Sequence, residues 1–156
     1  MHWLIWIAGA AALVFVAASA AVRLAPSDPA VWHADPVAAE RRAEGAWLVR
    51  PEGGDEAAPV WDVPPGEALA AFDAVARAQP RVRVLAGSVE DGHVTYVQRS
   101  LIWGFPDYIS VRALPVGDGS TLAVWSRLRF GRSDMGVNRT RVEEWLGALD
   151  LPRADA

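Results

Sequence analysis

The 156-residue sequence contains no cysteine and no lysine. Without cysteine there is no disulfide, no thiolate metal ligand and no thiol nucleophile. Without lysine there is no Schiff-base amine and no Walker-type phosphate loop, and all 15 basic residues are arginine. Three histidines, one of them at position 2, leave little for an imidazole metal site. The patterns His-Glu-x-x-His, His-x-Glu and Gly-x-Ser-x-Gly are also missing, so no catalytic residue, metal ligand or cofactor is assigned. A net charge of −4 gives no general attraction for nucleic acid. What is present is 52% apolar and 22% charged, a balance that supports one packed domain rather than a disordered chain.

The apolar residues concentrate at the start. Residues 3–22 carry no charge and are interrupted only by Gly9 and Ser19. As a helix this run spans roughly 30 Å, the thickness of a bilayer core, with Trp3 and Trp6 at one end where indole favours the interface. The reading is an N-terminal transmembrane anchor over residues 1–23. A cleaved leader is the alternative, since Ala18-Ser19-Ala20 offers a small-x-small site, although the run is long and no Lys or Arg precedes it. A core helix is the third reading, weakened by the lack of a polar face. Arg23 follows the run directly, with Arg41 and Arg42 beyond, which by the positive-inside rule points to the cytoplasmic side.

Residues 24–45 read as a proline-rich connector: Pro26, Pro29 and Pro36 remove donors and favour extended chain around Trp32 and His33. A short helix is expected over 37–44. The domain proper is placed at 46–150 and a tail at 151–156. Within it, 46–49 is a strand candidate, and Asp62 a cap for a helix that starts at Pro64-Pro65 and ends near Gln79-Pro80. Strands follow at 81–88, 93–99, 108–116 and 121–130, joined by Glu90-Asp91-Gly92 and Gly117-Asp118-Gly119, then a helix at 138–149. Short turns between successive strands predict an antiparallel meander. The fold class is therefore α+β, a four- to five-stranded antiparallel sheet with helices on one face. Val84, Val94, Tyr96, Val111, Val124, Phe72, Val142, Trp145 and Leu146 are the expected core.

Period-two counting leaves Arg83, Arg99, Arg112, Arg127 and Arg129 on the opposite sheet face. This is either a solvated face, in a chain that has only arginine for its positive charges, or an anion-binding surface suited to the planar guanidinium. The turn into the last helix adds Arg132, with Asp134 or Asn138 as its expected cap and exposed amides as a further anion site. Asp107 and Asp134 are expected to pair with neighbouring arginines, Arg127 or Arg129 being the partner foreseen for Asp107.

The stretch Ser126-Arg127-x-Arg129-x-Gly131-x-x-Asp134-x-Gly136-x-Asn138-x-x-Arg141, with Phe105-x-Asp107 before a strand, resembles the signature of the family catalogued as domain of unknown function 1499. Its members are small bacterial and plastid proteins. The resemblance covers roughly residues 60 to 149, and Arg23 to Pro29 with Trp32-His33 resembles a membrane-anchored subgroup. Tyr108 stands where many relatives carry a second acid, so no paired-carboxylate role is carried over. The resemblance implies a fold, a domain boundary and a single-pass bacterial inner-membrane protein, and no reaction. Its likeness to alanine-rich exported leaders points to the periplasmic side, against Arg23.

Three functional readings follow. The first is a membrane-anchored, non-catalytic domain that binds a protein partner or an anionic ligand or lipid headgroup through Arg99, Arg112, Arg127, Arg129 and Arg132. The second is a carrier of a small apolar ligand or lipid, with a pocket lined by Trp61, Trp103, Trp125 or Trp145. The third is an enzyme using Asp107 or Asp134.

Overall fold

The computed structural model describes residues 2–39 and 44–154. The element order is α1 (His2–Leu24), α2 (Pro29–Trp32), β1 (Ala46–Arg50), β2 (Glu56–Ala57), β3 (Val60–Trp61), α3 (Pro65–Ala78), β4 (Val82–Ser88), β5 (His93–Arg99), β6 (Pro106–Val116), β7 (Gly119–Leu128) and α4 (Val137–Gly147). Helix α1 is long and apolar enough to cross a membrane or to serve as a signal sequence.

The fold is α+β, and the meander β4–β5–β6–β7 is antiparallel throughout. The sheet has seven strands rather than four or five, in the order β2-β1-β7-β6-β5-β4 with β3 also on β7. The additional strands are the two-residue segments β2 and β3, too short to show any period, and β2 runs parallel to β1. The helix expected over 37–44 is absent from 37–39, which bend beside the sheet; residues 40–43 lie outside the described residues, as do Arg41 and Arg42. Asp62 is not the cap of α3: Pro64 holds that position in extended conformation, with no side-chain capping bond.

Helices α3 and α4 cover one face. Their core is built from Phe72, Tyr96 and Trp145, with ring centroids 5.8–6.4 Å apart, over Val94, Val111, Val124, Val142 and Leu146. All the expected core residues lie here, Val84 being partly buried at its margin. Edge-to-face aromatic contacts of this kind add to the burial of area itself.

The second face is not open. Residues 26–36 lie across it as a strap. Asp28 caps the single turn of α2, its carboxylate accepting from Ala30 N at 2.9 Å. Trp32 then lands flat on Tyr108, ring centroids 4.0 Å apart at 12°. Beyond it His33 stacks on His93 at 4.0 Å. A proline-rich segment leaves most of its carbonyls without a ladder partner, and those carbonyls require donors from elsewhere.

Candidate functional site

The arginines of the sheet supply those donors. Arg127, 6% exposed, sends Nη2 to Trp32 O at 2.5 Å and Nη1 to Ser110 Oγ at 3.2 Å. Its guanidinium lies 4.0 Å from the Trp125 ring centroid and 5.7 Å from that of Trp32. Arg129 Nη1 donates to Pro26 O at 2.8 Å, and Tyr108 Oη donates to Ser27 Oγ at 2.7 Å. Arg112 pairs with Asp35. Arg50 Nη1 donates to Val37 O and Ala39 O at 2.7 and 3.1 Å. Guanidinium, with five planar donors, suits this work better than an ammonium. Burial drops the Arg127 pKa to about 10, so it stays cationic at neutral pH while held by carbonyls and rings. Arg112, Arg127 and Arg129 therefore fasten the strap, and the face they were expected to present to solvent is covered.

Below Trp32 a row of hydroxyls continues the network: Thr95 Oγ1 meets both Ser110 Oγ and His33 Nδ1 at 2.9 Å. His93, under His33, has its pKa lowered by burial first, then by His33 and by Arg112, with Asp35 opposing. A histidine whose folded pKa lies below its unfolded value of ~6.5 stabilises the fold above that pH and loses the contribution as pH falls through the folded value. Acidification from pH 7 to pH 5 is thus expected to lower the melting temperature, and His93→Gln to flatten that part of the profile. An unchanged slope in the variant would remove His93 as the source.

Arg99 stands apart from the strap. It lies beside Arg23, Arg81, Arg83 and Ser100 around a groove of about 270 Å³ whose lining includes no carboxylate. Its Nη1 donates to Gly104 O at 2.9 Å and to Val22 O at 3.4 Å, so the guanidinium touches the last turns of α1. Burial lowers the Arg99 pKa, and Arg83, Arg129 and Arg23 push the same way against Tyr108. Arg81 is held at φ 61°, in the left-handed region, and its Nε donates to Arg99 O at 2.9 Å. A second hollow of about 240 Å³ shares Arg81, Arg99 and Ser100 and extends to Asp107 and Arg141. Arg132 is exposed in the turn before α4.

Asp107 faces the helices, because β6 places residues 107, 109 and 111 on the core side and Tyr108 on the strap side. Its partner is consequently Arg141 of α4, at 2.8 Å, and neither Arg127 nor Arg129. Burial raises the Asp107 pKa against the pull of Arg141. Arg141 also donates to Gln98 Oε1 at 2.6 Å, Ser126 Oγ at 3.0 Å and Asn138 Oδ1. Asn138, fully buried, accepts from Ser126 and donates to Gly45 O at 2.7 Å. Gly136 holds the cap position of α4 at φ 85°, and Asp134, two residues earlier, supplies the acceptor for the first turn. The Asp134 carboxylate accepts from Asn138 N at 2.6 Å and Gly136 N at 3.2 Å, and those amides are therefore not free for an anion. Burial alone would raise its pKa, but these donations outweigh that and hold it below the ordinary carboxylate value.

The residues that converge here are Ser126, Asp134, Gly136, Asn138, Arg141 and Asp107, the positions on which the resemblance rests. The family described as "Protein of unknown function (DUF1499)" matches residues 23–149. The chain belongs to the DUF1499 family. No curated protein and no solved structure matches it.

The DUF1499 match begins at Arg23 and so takes in the strap together with the sheet. Two signature positions are on the strap side, where Arg127 and Arg129 bind it. Gly131 sits at φ 99° in the turn that follows. Phe105 belongs to a row of aromatic rings, stacking on Trp103 at 5.9 Å and meeting Phe130 at 5.8 Å. The four tryptophans foreseen as a pocket do not share one: Trp61 and Trp145 are in the core, Trp125 lies under Arg127, and Trp103 projects from the β5–β6 turn. Among the described residues no three His, Cys, Asp or Glu side chains gather at one point.

Proposed function

We propose that this DUF1499 protein is a membrane-anchored, non-catalytic domain that holds an anionic, phosphate-bearing group in the groove between the end of α1 and the β4–β5 edge. One observation carries this reading: Arg23, Arg81, Arg83 and Arg99 line a single groove without a carboxylate. Like charges brought together in this way repel one another, and an anion with several oxygens relieves that repulsion while taking planar guanidinium donors. Apolar α1 supports the anchor, and the position of Arg23 and Arg99 at its last turns supports a groove at headgroup level. Of the arginines foreseen as ligands, Arg99 stays in this reading, whereas Arg112, Arg127 and Arg129 are engaged by the strap.

The test is binding by the full chain in neutral detergent, with phosphatidylglycerol, phosphatidylcholine and inorganic phosphate as separate ligands. Phosphatidylglycerol is expected to bind, and to be released as salt rises. Phosphate alone reports whether the group needs its lipid. Arg81→Ser with Arg83→Ser, both exposed, should weaken binding roughly 10- to 30-fold at about 1 kcal/mol per arginine. Equal uptake of the two lipids, or a double variant that binds like the parent, rules the groove out.

A further inference from the structure

The turn between β5 and β6 is unusual for a water-facing connection. Its tip is Leu101-Ile102-Trp103, exposed by 70%, 65% and 39%. Turns in water favour Gly, Asn, Asp, Pro and Ser, and an apolar cluster on a surface marks an interaction site. This cluster is joined to α1 by specific contacts. The Trp103 ring lies 4.5 Å from that of Phe15. Ser19, the polar side chain in the apolar run, donates to Trp103 O at 3.3 Å and is the buried residue of the helix. Arg23 Nη2 closes the far side, donating to Ile102 O at 2.8 Å and Leu101 O at 3.3 Å. Gly104 completes the fit, since at φ +76° a Cβ would stand 2.6 Å from Arg23 Cγ.

The depth of these contacts decides what covers the tip. Phe15 precedes the end of α1 by about 13 Å at the helical rise. A helix that spans a bilayer with residues 3–22 carries Phe15 roughly 10 Å inside the hydrocarbon boundary, and Trp103 lies against it. We propose that Leu101, Ile102 and Trp103 insert into the lipid leaflet that surrounds the C-terminal half of α1, so that the domain is attached to the membrane at two points. This rests on the anchor reading above. The partner is lipid hydrocarbon because the tip is continuous with a helix that is apolar and, Ser19 and Val22 apart, exposed over residues 3–22. Trp103, Phe105 and Phe130 form a row of rings leading from the tip to the domain, where the Arg129 guanidinium lies 5.0 Å from the Phe130 ring and 6.0 Å from that of Trp32. Aromatic rings below and guanidinium above is the order that a membrane interface favours.

The absence of cysteine makes the test direct, because any introduced thiol is unique. Spin labels are placed on the full chain in phospholipid vesicles at Leu101→Cys or Ile102→Cys, with Val14→Cys and Asp118→Cys as references. Collision with dissolved oxygen reports lipid and collision with a water-soluble nickel chelate reports water. Positions 14, 101 and 102 are expected to favour oxygen at least tenfold over position 118. Lipid exposure at 14 with water exposure at both 101 and 102 overturns the insertion and leaves the anchor standing. Water exposure at 14 overturns the anchor, and the insertion falls with it. Labels at 101 and 102 shielded from both reagents, with dipolar broadening that vanishes on dilution with unlabelled chain, would assign the tip to a second copy and not to lipid.

Discussion

Arg141→Leu is expected to destabilise the fold by about 3–5 kcal/mol, the range for removing one partner of a buried ion pair. Its side chain is 8% exposed and that of Asp107 is 19% exposed. The loss exceeds that of the pair alone, since Gln98, Ser126 and Asn138 also lose their donor. The pH dependence identifies the cause. Burial already raises the Asp107 pKa, and without Arg141 nothing on its own carboxylate offsets that burial, so the folded value moves further above the unfolded one. A carboxyl shifted this way contributes stability below its unfolded pKa and loses it as pH rises through the folded pKa. The deficit of the variant should therefore be larger at pH 8 than at pH 4.5 when unfolding is followed by tryptophan fluorescence. Arg139→Leu is the control: Arg139 is exposed, paired with Glu143 one turn along and 4.8 Å over the Trp47 ring, and its removal should cost no more than about 1 kcal/mol. Equal losses in the two variants would place Arg141 on the solvated surface.

The sheet, its antiparallel meander and its core were legible in the sequence because period-two alternation and short glycine turns are local signals. The charge-free run that forms α1 was legible for the same reason. What the alternation could not supply is the identity of the layer over the second face. Three prolines made 24–36 look like a spacer, yet the carbonyls they leave unpaired are what the sheet arginines serve. A signal for Arg141 was available: residues 138, 141, 142 and 145 fall on one helical stripe, so Asn138 and Arg141 had to be buried with Val142 and Trp145. That stripe also settles the partner of Asp107, which faces α4. Of the groove, Arg99 and Arg83 were visible as sheet residues. Arg23 read as a topology signal and Arg81 as the start of a strand, and only tertiary folding brings the four together.

Trp32→Ala is expected to release the strap, with a cost of about 2–4 kcal/mol, below the 3–5 of a fully buried aromatic because Trp32 is half-buried. The ring covers Tyr108 at 4.0 Å and lies within cation–π reach of Arg127, and the Trp32 carbonyl accepts a hydrogen bond from Arg127 Nη2. Those groups act as one unit, so Trp32→Ala and Arg127→Met should not be additive. A double-mutant cycle is expected to give a coupling of at least about 1 kcal/mol. Amide hydrogen exchange over residues 26–36 should rise in Trp32→Ala while β5 and β6 keep their protection. Independent effects and unchanged exchange would mean that the segment does not depend on the ring. Release also has an electrostatic consequence. Arg112, Arg127 and Arg129 each give a donor to the strap, and losing it returns those donors to solvent, although Arg127 keeps Trp125 and Ser110. On the anion-binding reading proposed above, uptake of phosphatidylglycerol by the full chain should then increase at low salt, by roughly fivefold for each arginine returned to the surface at about 1 kcal/mol each. On that reading, the strap restricts binding to the groove beside α1, and Trp32 is the side chain on which that restriction turns.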